Sequence, residues 1–373
     1  MLQVLRVAGI PVRIDVSWLL VFALISWSLA AGYFPRVLPD LTPGAAWAHG
    51  VAAALLLFAS VFLHELAHAL VALGHGVRVS SIRLHVFGGV SELESEPPTP
   101  RAELLIAMVG PLTSFAIAGV FYGLGRVHPG PPWVAALTGY LTVVNLIVGL
   151  FNLVPGFPLD GGRVLRAMLW WWSGRLGWAT RWASRAGSAF AGVLMALGVV
   201  RTVGGEVVGG LWFILIGLFL HQSARASHEM ARVRARLEPL RAADVMTRQP
   251  ISVEAVTPLA AVLDGPLTTR RVAGFPVTRD ERLVGFLPWR RVADRAGDGD
   301  GGTAADAMVP LGPDDVIAPQ ASAWQAFLRI ANNGIGRVAV VDRDRLVGIV
   351  SHHDLHRALA GDRRRSGDAR RAA

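Results

Sequence analysis

The sequence predicts a polytopic α-helical membrane domain of about six transmembrane helices, followed by a soluble α/β domain. Three observations predict it. Hydrophobic residues make up 53% of the 373-residue chain and charged residues only 17%, against about 45–50% and 25% in an ordinary soluble domain. Six long apolar segments run through the first 222 residues. After His221 the composition changes to a basic stretch and then to a charged, internally repeated region.

The apolar segments lie near 14–34, 49–73, 103–125, 133–155, 187–203 and 207–222. Most reach the roughly 20 residues a spanning helix needs, and the last two are shorter. Residues 1–16 lack a small-residue cleavage site after a short apolar core, so the first segment reads as a retained span rather than a signal peptide. There is no lysine, so every basic residue is arginine. With a cytosolic N-terminus, the inner segments carry Arg6, Arg13, Arg78, Arg83, Arg101, Arg163, Arg166, Arg175, Arg181 and Arg185. The outer loops carry only Arg36, Arg126 and Arg201. That bias places both termini in the cytosol. Trp170, Trp171, Trp172, Trp178 and Trp182 cluster after the fourth span and read as interfacial anchors. The net charge of +9 is concentrated in residues 225–241 and 363–371. It fits the positive-inside bias and a solvated tail rather than nucleic-acid binding. The arginine-only, alanine- and glycine-rich composition fits a high-GC prokaryote, and hence its plasma membrane.

The chain divides into a transmembrane region (1–222), a basic helical linker (223–239), a soluble region (240–360) and a disordered basic tail (361–373). Within the soluble region Ala-Asp-Val-Met at 243–246 recurs as Ala-Asp-Ala-Met at 305–308. Arg-Leu-Val-Gly at 282–285 recurs at 345–348. A period of about 62 residues implies two packed copies of one small α/β unit, 240–297 and 302–360.

Absence of cysteine excludes disulfides and thiolate metal sites, so any bound metal uses N and O ligands. The second span contains His64-Glu65-Leu66-Ala67-His68. Residues i and i+4 share a helix face, so both imidazoles can hold one zinc with Glu65 beside them as general base. Ionisable residues inside an apolar span default to a functional reading. Catalytic zinc takes three protein ligands and an open position. His75 would lie about 10 Å along the helix from His68, too far to share a metal. Asp160 is the better third ligand. It follows Pro155-Gly156-Phe157-Pro158-Leu159, irregular backbone tolerated at membrane depth only around a protein-lined cavity. The arginine topology brings it to the same inner end as His64 and His68. His49, His85 and His128 read as bystanders.

The HELAH span, followed about ninety residues later by Asn-Leu-Val-Pro-Gly-Phe-Pro-Leu-Asp-Gly-Gly-Arg, resembles the site-2 protease family of intramembrane zinc metalloproteases. Phe87-Gly88-Gly89-Val90 and Gly110-Pro111 also match its pattern. The resemblance implies zinc ligands His64, His68 and Asp160, with Glu65 as base. It also implies a substrate-binding or oxyanion role for Asn152, and single-span membrane proteins such as anti-sigma factors as substrates. Residues 77–90 alternate like a strand with a Gly-Gly bend. Two readings stand: an edge around Phe87, Gly88, Gly89 and Val90 that pairs with an extended substrate, or a hairpin that caps the site.

The 240–360 repeat resembles a tandem cystathionine-β-synthase (CBS) pair, opening on Asp-Val-Met-Thr and closing on Leu-Val-Gly-Ile-Val-Ser-His-His-Asp. The resemblance implies an adenine nucleotide (ATP, ADP or AMP) contacted by Ser351 and Asp354. The first copy has lost both positions, which leaves one site at most. A structural or homodimerising pair is the other reading. A different class of function, a CBS-regulated channel or transporter with an intramembrane metal site, would show two matching broken-helix halves. The broken segment after the fourth span has no counterpart.

Overall fold

The computed structural model describes residues 2–85, 88–93, 95–127, 130–264, 274–297 and 302–360. The chain forms two compact units, Met1–Glu229 and Met230–Ala373. The tail from residue 361, together with Phe87 and His128, lies outside the described residues.

The first unit begins with a hairpin, β1 (Leu2–Val7) and β2 (Ile10–Ile14), in residues the sequence presents only as a lead-in to the first span. Asp15 caps α1 (Val16–Ser28) by accepting from the Ser17 backbone N–H at 3.0 Å. A π-helical turn, Leu29–Tyr33, continues it into α2 (Phe34–Val37). Helix α3 (Pro43–Gly74) starts on a Thr42 cap with proline at its first position, where a missing N–H costs nothing. Two strands follow, β3 (Val79–His85) and β4 (Gly88–Leu93). The remaining helices are α4 (Pro100–Val127), α5 (Pro132–Asn152), the short α6 (Asp160–Ser173), α7 (Leu176–Val203) and α8 (Val207–Leu237).

Among the described residues, six helices are long and apolar enough to cross a membrane: 16–37, 43–74, 100–127, 132–152, 176–203 and 207–237. The last two extend well past their apolar stretches. Helix α7 begins among the tryptophans, and α8 runs on through the basic residues expected to form a linker. Small residues line the crossings, as they do where helices must approach without a hydrophobic driving force. A Cβ on Gly50 would lie 2.7 Å from Ser26 O, and one on Gly198 would lie 2.7 Å from Gly210 O. Aliphatic side chains such as Leu19, Val120, Ile147 and Val200 face outward, as a lipid-facing surface requires.

The sheet order is β1-β2-β3-β4: two antiparallel hairpins joined by the parallel pair β2/β3, with Val12 opposite Ile82. Ile10 and Ile82 bury against Ala69, Phe62 and Leu66 of α3. The sheet therefore packs along the same stretch of α3 that carries the His-x-x-x-His motif, and β4 is its edge.

The second unit is built from two like halves. The first is α9 (Ala242–Val245), β5 (Thr247–Arg248), β6 (Val253–Glu254), α10 (Leu259–Asp264), β7 (Gly274–Arg279), β8 (Arg282–Pro288) and α11 (Trp289–Gly297). The second is α12 (Ala304–Ala307), β9 (Val309–Pro310), β10 (Val316–Ile317), α13 (Ala323–Asn332), β11 (Arg337–Asp342) and β12 (Arg345–Ser351). The repeated aspartates have one job. Asp244 accepts from the Arg241 backbone N–H at 2.9 Å, and Asp306 from that of Thr303 at 2.8 Å, each closing the first turn of a short helix. That bond lowers the Asp306 pKa.

The halves exchange their openings. Strand β5 pairs with β12, and β9 pairs with β8. Ala242 buries in the core of the second half, with Val338, Val340 and Val350. Ala304 and Ala307 bury in that of the first, with Val262, Phe275 and Val277. The repeated methionines and glycines mark the contact: a Cβ on Gly285 would lie 2.7 Å from Met308 Sδ, and one on Gly348 would collide with Met246. A fragment of residues 240–297 is thus expected to be unfolded by circular dichroism, while 237–360 melts cooperatively. A cooperative melt of the shorter fragment would contradict the exchange.

Candidate metal centre and a cleft in the second unit

Helix α3 places His64 and His68 one turn apart, at 4% and 3% exposure. Their Nε2 atoms stand 3.2 Å from each other and each stands 3.1 Å from Asp160 Oδ2. Asp160 opens α6, after a loop that contains the cis Phe157–Pro158 peptide. The glycines after it permit that approach, since a Cβ on Gly161 would strike the Leu153 carbonyl and one on Gly162 the Gly156–Phe157 backbone.

Helix α4 aims the imidazoles. The Ile106 carbonyl lies 2.6 Å from His68 Nδ1, and because a carbonyl only accepts, Nδ1 carries the proton and Nε2 presents a lone pair. Ser114 Oγ lies 2.9 Å from His64 Nδ1. Between them Gly110 has no side chain, and a Cβ there would collide with both Nε2 atoms. The three residues offer ligand atoms that all lie within 4.8 Å of one another. Donors about 2.0–2.1 Å from one tetrahedral ion sit about 3.3 Å apart, so the separations fit zinc. Acceptors converging in a buried space repel one another unless a cation joins them.

Glu65 lies under β4. Ser91 Oγ is 2.9 Å from both Glu65 O and Glu65 Oε2. A Cβ on Gly89 would strike the Glu65 side chain. Among the described residues β4 pairs only with β3, so its outer edge is open next to Glu65. Of the expected edge residues, Gly88, Gly89 and Val90 are in β4 and Val90 is exposed. Asn152, the last residue of α5, donates its Nδ2 to Val148 O at 3.0 Å, one turn back, and no hydrogen bond joins it to the histidines among the described residues. His75 bonds Val71 O within its own helix. His49 bonds Ala45 O and packs among Phe34 and Trp133.

The supports of the site were not legible. Ser114 is one hydroxyl among many in an apolar span, and Ile106 acts through its backbone. Gly110 stands out in sequence only as part of a family pattern.

In the second unit a cleft of about 450 Å³ is lined by Thr247, Gly274, Arg337, Ser351, Asp354 and Arg357, among others. Asp354 is buried and accepts from Thr247 Oγ1 at 3.0 Å and Ser351 Oγ at 2.6 Å. Burial lowers the Arg337 pKa, and Asp354 opposes that shift. In the first half, Pro288 and Arg291 stand where Ser351 and Asp354 stand in the second, and Arg291 donates to Met308 O at 3.3 Å.

The sequence pattern of peptidase family M50 matches residues 52–139 and 132–194, and that of the CBS domain matches 242–297 and 307–361. A Mycobacterium tuberculosis protein named as the zinc metalloprotease Rip3 is 36% identical over 360 residues, covering 95% of this chain and 91% of its own. A Synechocystis protein named as the zinc metalloprotease sll0528 is 37% identical over 286 residues, covering 76% and 70%. The solved site-2 protease from Methanocaldococcus jannaschii is 30% identical, covering 61% of this chain and 94% of its own, with a TM-score of 0.44.

Gly110→Ala is expected to push both Nε2 atoms apart and leave the purified protein without stoichiometric zinc by elemental analysis. Ser114→Ala is expected to weaken zinc about 10-fold by chelator competition, the usual effect of losing a partner of a ligating histidine.

Proposed function

The chain belongs to peptidase family M50, the site-2 protease family of membrane zinc metalloproteases, and on that premise we propose that it cleaves single-span membrane proteins at a zinc held by His64, His68 and Asp160. The observation that carries the ligand assignment is the convergence of two buried Nε2 atoms and one carboxylate oxygen at 3.1–3.2 Å.

Zinc bound there supplies Lewis acidity, which makes water a nucleophile near neutral pH and polarises the scissile carbonyl. Glu65 takes the proton of the attacking water and returns it to the leaving amine. The Ser91 hydroxyl on Oε2 and the β4 backbone hold that carboxylate in place. Ile106 and Ser114 keep the imidazoles turned toward the ion. A helical substrate hides its carbonyls, so it must unwind before cleavage. The open edge of β4 beside Glu65 accepts the unwound segment by strand addition, with Gly88, Gly89 and Val90 in the pairing edge. Asn152, on releasing Val148 O, binds the substrate backbone or the developing oxyanion.

The protein sits in a prokaryotic plasma membrane with both termini in the cytosol, where adenine nucleotides are available to the CBS pair. One nucleotide binds per chain, in the cleft of Ser351 and Asp354, and biases proteolysis. What supports one site is Arg291, whose side chain takes the place of the acceptor in the other half. The CBS pair is also the surface through which a homodimer would form.

Glu65→Gln is expected to retain zinc while cleavage of a tagged single-span substrate falls about 10²–10⁴-fold. Asp160→Ala, with both histidines left, is expected to weaken zinc binding and cleavage together. Full proteolysis by Glu65→Gln would disprove the base assignment. Calorimetry with AMP should give a stoichiometry of one per chain, lost in Asp354→Ala; two sites per chain would contradict the reading of Arg291.

A further inference from the structure

Charged side chains inside an apolar bundle are costly unless paired, and any that the chemistry does not use calls for a reason. Glu103, in the first turn of α4, is fully buried at 0% exposure. Its partner is Arg166 of α6, 9% exposed. Arg166 Nε donates to Glu103 Oε1 at 2.5 Å, and Nη2 donates to the same oxygen. Nη1 lies 3.9 Å from Glu96 Oε1. The guanidinium stands over the Phe157 ring, 5.3 Å from its centre. A planar guanidinium that is both hydrogen-bonded and stacked is fixed in direction as well as place, which a flexible ammonium is not.

The elements joined here are the ones that build the zinc site. Arg166 shares α6 with Asp160. Phe157 belongs to the loop that delivers Asp160. Glu103 lies one turn before Ile106, the acceptor for His68 Nδ1, and two turns before Gly110, in the helix that also carries Ser114. We propose that the buried Glu103–Arg166 pair is the positioning device of the zinc site, locking the helix and loop that present Asp160 to the helix that aims His64 and His68, and so setting how tightly the metal is held. This inference rests on the zinc reading above. Neither residue touches the reacting atoms; both act through Asp160. A brace that served folding alone would change the stability of the protein and leave its zinc affinity where it was.

The test uses the full-length protein in detergent, with zinc affinity measured by chelator competition and thermal unfolding of the metal-free protein measured alongside. The variants are Arg166→Lys, Glu103→Gln and the double Glu103→Met/Arg166→Met. The double variant leaves neither member of the Glu103–Arg166 pair as an unpaired buried charge, so it is expected to fold where a single variant fails to. Each folded variant should bind zinc about 10-fold more weakly or worse, with kcat lowered and KM for a peptide substrate unchanged. In an Asp160→Ala background, Arg166→Lys should cause no further loss, because the two changes act on one ligand. Zinc affinities within about two-fold of wild type in Arg166→Lys and the double variant would overturn the inference. So would an undiminished loss in the Asp160→Ala background. A wild type that binds no zinc, or an Asp160→Ala that binds it as tightly as wild type, would instead overturn the zinc reading itself.

Discussion

Two imidazole nitrogens and a carboxylate oxygen face one another at about 3 Å in a space that water barely reaches. Acceptors so placed repel, and inside an apolar bundle there is little solvent to screen them. The surrounding structure is arranged to hold them there. Ile106 and Ser114 fix the rings from behind, Gly110 leaves the space between them open, and paired glycines let the first turn of α6 fold back on its own loop. A dication held there would turn this repulsion into attraction. Glycines also sit where α6 and α7 close on the loop that carries Asp160: a Cβ on Gly162 would strike the Gly156–Phe157 backbone, and one on Gly187 the Phe157 carbonyl.

The position of the sheet follows from the same requirement. For Glu65 to act as the proposed general base, its carboxylate has to be aimed. Strand β4 does it from outside, with one hydroxyl at Ser91 and one missing side chain at Gly89. The strand that holds Glu65 also leaves an open edge beside it among the described residues, so the proposed base and the proposed substrate edge belong to one element.

Much of this was readable in the sequence, for a definite reason. A spanning helix is announced by about 20 apolar residues, and an ionisable pair at i, i+4 within it is too costly to persist without a use. His64, Glu65 and His68 stood out on those grounds, Asp160 stood out through the proline- and glycine-broken loop that the arginine topology brings to the same end, and the recurrence of Asp-x-Met and Leu-Val-Gly announced the double unit. Three kinds of feature did not stand out. Strands β1 and β2 merge with the apolar lead into α1, because a short alternating run beside a long hydrophobic one has no boundary of its own. The full lengths of α7 and α8 are hidden because their ends leave the apolar stretch and carry arginine and tryptophan. The supports of the ligands are backbone groups, absent side chains and an ion pair 63 residues apart in sequence, and none of these has a local signature.

The exchanged openings of the soluble unit bear on how the protein is made. Strand β5 is complete at residue 248, yet its partner β12 ends at Ser351, so about a hundred residues must leave the ribosome before the two can meet. At synthesis rates of about 5–20 residues per second that interval is on the order of 5–20 s. During it the first half is tethered beside the membrane with Ala242 uncovered and the edge of β8 still waiting for β9. The unit closes only after the second half has been translated, and the six membrane helices, which all precede it in the chain, have by then left the ribosome.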